Sequence, residues 1–293
     1  MANSALLDPE FVRELEVLRR RLHLTARSGG PGEHLARRRG GSAEFHEHRA
    51  YEPGDDLRRI DWAAYARTGE PVLKLFRAEE DVVARLVCDA SASLGFGVPR
   101  KFDVVRRLAA ALGYMTLAAS ERAQVVAAGG ASVRAHPPAR GRQGLPALLR
   151  SLDGLDAAGT TDLAKAVDAV VRESPRPGLL AIFSDFLDGG AWLAALGRAV
   201  AAGHDVALVH VLAPEEVAPT FDGDLAFEDA ETGECVELVL DPGTLEAYER
   251  RLAGLFGALR AFAKRHGATY VRARTDAPLE PVIRRLVGRA VEP

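Results

Sequence analysis

From about residue 80 to the C-terminus, short apolar runs of strand length alternate with segments of helical period. "RLVCD", "AQVVAAGG", "PGLLAIFSD", "HDVALVHVL" and "ATYVRARTD" read as strands. Between them, "RKFDVVRRLAAALGYMTLAAS", "TDLAKAVDAVVRES" and "GAWLAALGRAVAAG" repeat their apolar residues with a helical period. A strand with one wet face alternates apolar and polar residues, whereas a strand covered on both faces is apolar almost throughout. The pattern therefore predicts an α/β fold with a mostly parallel sheet between two helical layers, and right-handed crossovers make that sheet doubly wound.

The segment before this region differs. "DPEFVRELEVLRRRLHL" predicts a helix capped by Asp8, with Pro9 in its first turn and Phe11, Leu15, Leu18 and Leu22 on one face. "SGGPGEHLARRRGGS" reads as a basic, glycine-rich loop carrying Arg37, Arg38 and Arg39. "AEFHEHRAY" alternates as a strand does, and "DLRRIDWAAYART" reads as a helix with Asp55 or Asp56 as its cap. The expected organisation is an N-terminal helical and extended segment, residues 1–80, packing on a main domain of residues 81–293. A hairpin insertion is expected near 222–240, and a long helix after it ends at Gly267.

Composition narrows the function. Of the 293 residues 47% are hydrophobic and 27% charged, which suits a folded globular chain. A formal net charge of −3 gives no general attraction to nucleic acid or an anionic membrane. Acidic residues recur from Glu215 to Glu249 without a Lys or Arg, as on a solvated hairpin. Cys88 and Cys235 make no CxxC and no zinc spacing, which favours a reducing compartment. The longest apolar run, about Leu108 to Ala119, falls short of the roughly 20 residues a membrane span needs. A soluble, cytoplasmic protein is expected.

Ligands of doubly wound sheets bind beyond the carboxyl ends of the strands. "CDASAS" ends the first strand of the alternating region and sets Asp89, Ser91 and Ser93 at alternate positions. "FSDFLD" ends a second strand with Ser184 and Asp185, and "AAGTTDL" puts Thr160 and Thr161 on a loop before a helix. Carboxylates and hydroxyls together form an all-oxygen set, suited to hard cations such as Mg²⁺, Mn²⁺ or Ca²⁺ and unsuited to zinc. Asp and Ser in such a stretch also serve as ordinary turn and cap residues. His46 and His48 would share one face of a strand, without a third ligand. Arg58, Arg59, Asp61 and Arg67, around Trp62 and Tyr65, read as an ion-pair network between the N-terminal segment and the main domain.

The DxSxS, later Thr and later Asp resemble the metal-ion-dependent adhesion site of von Willebrand factor A domains. The run Arg49-x-Tyr51-x-Pro53-Gly54-Asp55-Asp56 through Ile60-Asp61-Trp62, with DxSxS about thirty residues later, resembles the signature of the bacterial domain-of-unknown-function 58 family. That family joins this signature to a von Willebrand A-like domain, and the resemblance covers roughly residues 10 to 290. It implies a von Willebrand A or Rossmann-like sheet with a helix-strand extension, and a divalent ion, Mg²⁺ or else Mn²⁺ or Ca²⁺. Ser91 and Ser93 would bind the ion directly, Asp89 and Asp185 directly or through water, and a threonine would complete the set. Family members often read Gly-Gly-Thr-Asp-Leu where this chain has Gly159-Thr160-Thr161-Asp162-Leu163, which favours Thr161 and leaves Thr160 open. The resemblance implies a protein-binding module, an adaptor or chaperone-like partner of a MoxR-type AAA+ ATPase. Two other readings are open: a metal-dependent hydrolase or phosphatase using Asp89 or an ion-activated water, and a scaffold with an empty site. Against catalysis, no GxSxG, Walker A or HExxH motif is present, and aspartyl phosphatases carry an Asp where this chain has Ser91.

Overall fold

The computed structural model describes residues 6, 8–27, 45–52, 55–57, 60–76, 83–129, 132–174, 176–187, 191–219 and 223–288. They fall into two compact units, residues 32–81, and residues 1–31 together with 82–293. Helix α1 (Pro9–Arg27), expected as part of the N-terminal segment, is thus grouped with the larger unit. The physical reason is its apolar stripe: Phe11, Leu15 and Leu22 lie in the same buried cluster as Leu108 and Ile283. Its cap is the expected one, with the Glu10 N–H donating to Asp8 Oδ1 at 2.9 Å.

The smaller unit is an antiparallel pair with a helix between its strands. Strand β1 (Phe45–Ala50) pairs with β2 (Val72–Phe76), Arg49 opposite Leu73, with a bulge between Phe45 and Glu47. Helix α2 (Trp62–Thr68) starts later than the sequence suggests and is capped by Asp61, whose carboxylate accepts from the N–H groups of Ala63 and Ala64 at 3.1 Å. Asp55, expected as a cap, instead accepts from Arg49 Nη2 on both oxygens at 2.7 Å and from the Glu52 N–H at 3.0 Å. One guanidinium nitrogen bridges both carboxylate oxygens, a charge-assisted contact that removes Asp55 from competition for the helix start. Gly69 closes α2 at φ 74°, a left-handed position suited to glycine. Arg37–Arg39, Arg58, Arg59 and the side chains of His46 and His48 lie outside the described residues.

The larger unit follows the alternation read from the sequence. After β3 (Val83–Asp89) come α3 (Lys101–Ala118), β4 (Arg122–Gly129), β5 (Ser132–Ala135), β6 (Ala139–Arg140), α4 (Leu145–Asp153) and α5 (Leu163–Glu173). Then follow β7 (Leu179–Ser184), α6 (Trp192–Ala201), β8 (Asp205–Leu212), α7 (Pro214–Val217), the hairpin β9 (Gly223–Glu228) and β10 (Cys235–Leu240), α8 (Pro242–His266), β11 (Thr269–Arg274) and α9 (Leu279–Gly288). The main sheet has the order β11-β8-β7-β3-β4-β5, with β6 also on β4. Strands β11, β8, β7, β3 and β4 are parallel, while β5 and β6 run antiparallel to β4. These two edge strands escape the periodic reading because four and two residues are too short to show a period. The hairpin stands as its own two-stranded sheet, near the residues expected for an insertion.

Alternate strand residues enter opposite cores. Leu86, Cys88, Ala181, Phe183, Val209 and Val211 face the layer containing α1, α3, α4 and α9. Val87, Leu180, Ile182, Val206 and Leu208 face the layer of α5, α6 and α8. Each fully buried Val, Leu, Ile or Phe among these contributes roughly 1.5–3 kcal/mol, and the near-continuous apolar strands follow from having two such faces. The apolar run in α3 is a core helix: Leu108, Ala109, Ala110, Ala111, Leu112 and Leu117 are all buried. At Gly113 a Cβ would lie 2.5 Å from Leu148 Cδ2, so the missing side chain lets α3 approach α4 closely.

The chain moves outward from β3 through β4 and β5, then returns to the other side of β3 to lay down β7, β8 and β11. Neighbours β3 and β7 therefore flank the topological switch point. Their carboxyl ends are where a doubly wound sheet opens a crevice for ligands.

Candidate functional site

Both strands at the switch point end in an aspartate region. Asp89 is the last residue of β3 and is 1% exposed. Asp185 follows β7 and is 2% exposed. The loop after β3 is tied by its backbone to the end of β4 and to the loop before α5. The Ala90 N–H donates to the Ala128 carbonyl at 2.7 Å, the Ala158 N–H to the Ala90 carbonyl at 2.8 Å, and the Ala92 N–H to the Gly159 carbonyl at 2.8 Å. The small residues at 90 and 92 permit this crowding. A Cβ on Gly129 would lie 2.9 Å from the Ala90 oxygen, so glycine there allows β4 to meet the loop.

Four of the five predicted ligands come together. The Ser91 N–H donates to Asp89 Oδ1 at 3.0 Å, an Asx turn that folds the loop back on the strand end. Ser91 Oγ and Ser93 Oγ lie 3.0 Å apart, and Ser93 Oγ donates to Asp185 Oδ2 at 3.1 Å. Ser184 Oγ donates to Asp89 Oδ2 at 2.6 Å and accepts from the Phe186 N–H at 2.9 Å. Thr161 is not in this hydrogen-bonded set. It sits on the adjoining loop with its hydroxyl donating to the Ala128 carbonyl at 3.3 Å. Among the described residues no cluster of three or more His, Cys, Asp or Glu is placed to hold a metal.

Burial raises the Asp89 carboxyl to about 6, and the Asp185 charge adds to the rise; hydrogen bonds from Ser184 and Ser91 offset part of it. The backbone after Asp185 is unusual. Phe186 is buried with φ 55°, in the left-handed region that non-glycine residues avoid at a cost of about 1–2 kcal/mol. Its ring is held 5.4 Å from Trp192 and 5.6 Å from His210. This aromatic anchorage keeps the turn in place and directs Asp185 toward Ser93. His210, fully buried on β8, is pushed down to about 4 by burial and is neutral at pH 7. Its Nδ1 lies 3.1 Å from the Tyr270 hydroxyl.

Two residues of the site were not singled out from the sequence. Lys101 Nζ lies 2.8 Å from Asp185 Oδ2 and 2.5 Å from Glu216 Oε1, and the Lys101 side chain is 1% exposed. Burial disfavours its charge, but Asp185 and Glu216 more than compensate and the amine is held above its ordinary value. Glu216, on α7, is itself fixed, since Oε2 accepts from the Ala213 N–H at 2.8 Å. One signal was present in the sequence: a lysine in the first turn of a helix opposes the helix dipole, a placement that calls for a local anion.

The donor set fits a hard cation. The four clustered residues offer two carboxylates and two hydroxyls, with Thr161 on the adjoining loop, and the protons of Ser93 and Thr161 are directed at other acceptors, which leaves oxygen lone pairs for an ion. The like-charged aspartates would also be relieved by a cation. Lys101 supplies positive charge to Asp185 in its place.

Comparison with known proteins agrees with the family signature. The family model described as "Protein of unknown function DUF58" matches residues 47–254. Uncharacterized proteins of Mycobacterium tuberculosis and Mycobacterium bovis are 35% identical over 264 residues, covering 88% of this chain and 83% of theirs. Among solved structures, the conserved hypothetical protein BatB from Bacteroides thetaiotaomicron aligns with a TM-score of 0.49 at 15% identity, over 71% of this chain and 98% of that one. The SpRpn10 VWA domain aligns with a TM-score of 0.42 at 10% identity, over 72% and 99%. With the signature, the DxSxS strand end and the matched family model in agreement, this chain belongs to the DUF58 family.

Proposed function

We propose that this chain is a protein-binding module that uses a divalent cation, Mg²⁺ or else Mn²⁺ or Ca²⁺, to capture a carboxylate of a partner protein. Asp89, Ser91, Ser93, Thr161 and Asp185 would hold the ion. The observation that carries the reading is the run of contacts from Ser91 through Ser93 to Asp185, which joins the tops of β3 and β7 at the switch point. When bound, the ion would supply a Lewis-acidic centre still short of negative charge, because hydroxyls provide much of its shell. The chain's own residues do the rest. Ser184 and the Ser91 N–H hold Asp89 in one rotamer, and the left-handed Phe186 turn orients Asp185.

The proposed partner is a MoxR-type AAA+ ATPase, with this chain as its adaptor or chaperone-like companion in the cytoplasm. That assignment comes from the DUF58 family membership. Among the described residues, no helix is long and apolar enough to cross a membrane. The hydrolytic reading has less support, because Asp89 is buried and both its oxygens accept hydrogen bonds, a poor presentation for attack on phosphorus.

The test is a pull-down with wild type and with Ser91→Ala/Ser93→Ala, in Mg²⁺ and in chelator, followed by mass spectrometry. A AAA+ ATPase retained by wild type in Mg²⁺ alone is the expected result. Equal retention in Mg²⁺ and chelator would remove the ion from the proposal.

A further inference from the structure

The buried Lys101 is the feature of the site that neither the oxygen donor set nor the family signature accounts for. An ammonium taken out of water is costly unless charge and hydrogen bonds replace its hydration. Its placement in the first turn of α3 adds the unfavourable helix dipole. Two carboxylates compensate. One belongs to the oxygen donor set, and the other arrives from α7 at the end of β8. Asp185 Oδ2 accepts from both Ser93 and Lys101, so one carboxylate oxygen links the DxSxS loop to the ammonium. Glu216 is held from behind by the Ala213 N–H and, through its backbone carbonyl, by the Tyr248 hydroxyl at 2.6 Å. The acceptor is therefore fixed and shares the ammonium with Asp185.

We propose that Lys101 is the site's own cation: its ammonium holds Asp185 when no divalent ion is bound and competes with such an ion for that carboxylate, while Glu216 draws the ammonium away from it. The inference rests on the cation-binding reading given above. Two positive charges on one buried carboxylate repel strongly in a medium of low dielectric. A divalent ion therefore binds only as far as Glu216 can take over the lysine. Lys101 and Glu216 then act as positioning residues that set the affinity of the site, with opposite signs.

That opposition is the test. Mn²⁺ is titrated into the full chain by calorimetry, with thermal unfolding in Mn²⁺ and in chelator as a second readout, for wild type, Lys101→Met and Glu216→Gln. Lys101→Met is expected to bind Mn²⁺ at least about tenfold tighter than wild type, because a repelling charge is gone. Glu216→Gln is expected to bind it several-fold more weakly, because the ammonium then depends on Asp185 alone. A merely structural role for the pair would lower stability in both variants and move affinity in neither. If wild type binds Mn²⁺ and Lys101→Met binds it no more tightly, the competition is wrong and the cation-binding reading stands. If Lys101→Met binds Mn²⁺ and wild type does not, the competition stands and a resident ion in the natural chain is ruled out. If none of the three binds, both ideas fall. Should Lys101→Met not fold, unchanged Mn²⁺ affinity in Glu216→Gln overturns the inference and weakened affinity supports it.

Discussion

The Ser184 hydroxyl donates to Asp89 Oδ2 at 2.6 Å, tying the end of β7 to the end of β3 in a buried environment. Because the two strands are neighbours in the parallel sheet, this bond pins the crevice at the switch point from below. Ser184→Ala is expected to leave that carboxylate oxygen without its donor and to cost roughly 1–3 kcal/mol, the usual penalty for a buried acceptor left unpaired. Chemical denaturation in chelator measures it. A variant as stable as wild type would show that Asp89 has another donor.

The pH dependence of the site has two opposing parts. Asp89 is raised from its ordinary 3.8 to about 6, so the folded state binds a proton more readily than the unfolded one. Its contribution is full below about 4 and is lost as pH rises through 6. His210 is lowered from 6.5 to about 4, so its contribution is present above 6.5 and is lost as pH falls through 4. Each shift corresponds to roughly 3 kcal/mol. In chelator, the stability of Asp89→Asn minus that of wild type is expected to grow as pH rises from 4 to 6. The same difference for His210→Gln is expected to grow as pH falls from 6.5 to 4. Parallel slopes for the two variants would contradict the assignment.

Two glycines predict opposite outcomes. A Cβ at Gly129 would press on the Ala90 backbone oxygen at 2.9 Å, and backbone cannot yield as a side-chain tip can. Gly129→Ala is expected to cost about 1–3 kcal/mol. Gly197, inside α6, has nothing within 4 Å of such a Cβ. Gly197→Ala should stabilise the protein by about 0.5–1 kcal/mol by restricting the unfolded chain and favouring helix. Thermal unfolding of both variants is sufficient to compare them.

The threonine assignment can be separated experimentally. Thr161 Oγ1 gives its proton to the Ala128 carbonyl and keeps its lone pairs. In a Mn²⁺ titration Thr161→Val is expected to weaken binding about tenfold, with Thr160→Val close to wild type. The reverse ranking would move the ligand to Thr160.

Much of this protein was legible from residue patterns. The apolar strands between helices pointed to a sheet buried on both faces, since runs as short as Leu179–Phe183, alternating with helical segments, pair their backbone between strands while hiding both sets of side chains. The spacing of Asp89, Ser91 and Ser93 determined their convergence, because an Asx turn at a strand end is a local event. Other features needed the tertiary structure. The antiparallel strands β5 and β6 are too short to announce themselves. The helix α2 cap fell to Asp61 because Arg49 claimed Asp55. The charge balance of the site was decided by distance in space alone. Lys101 meets Asp185 across 84 positions of sequence and Glu216 across 115. Crossovers of the doubly wound sheet bring those three residues together from beyond the carboxyl ends of β3, β7 and β8, and a buried ammonium can persist only where the fold delivers both carboxylates to it.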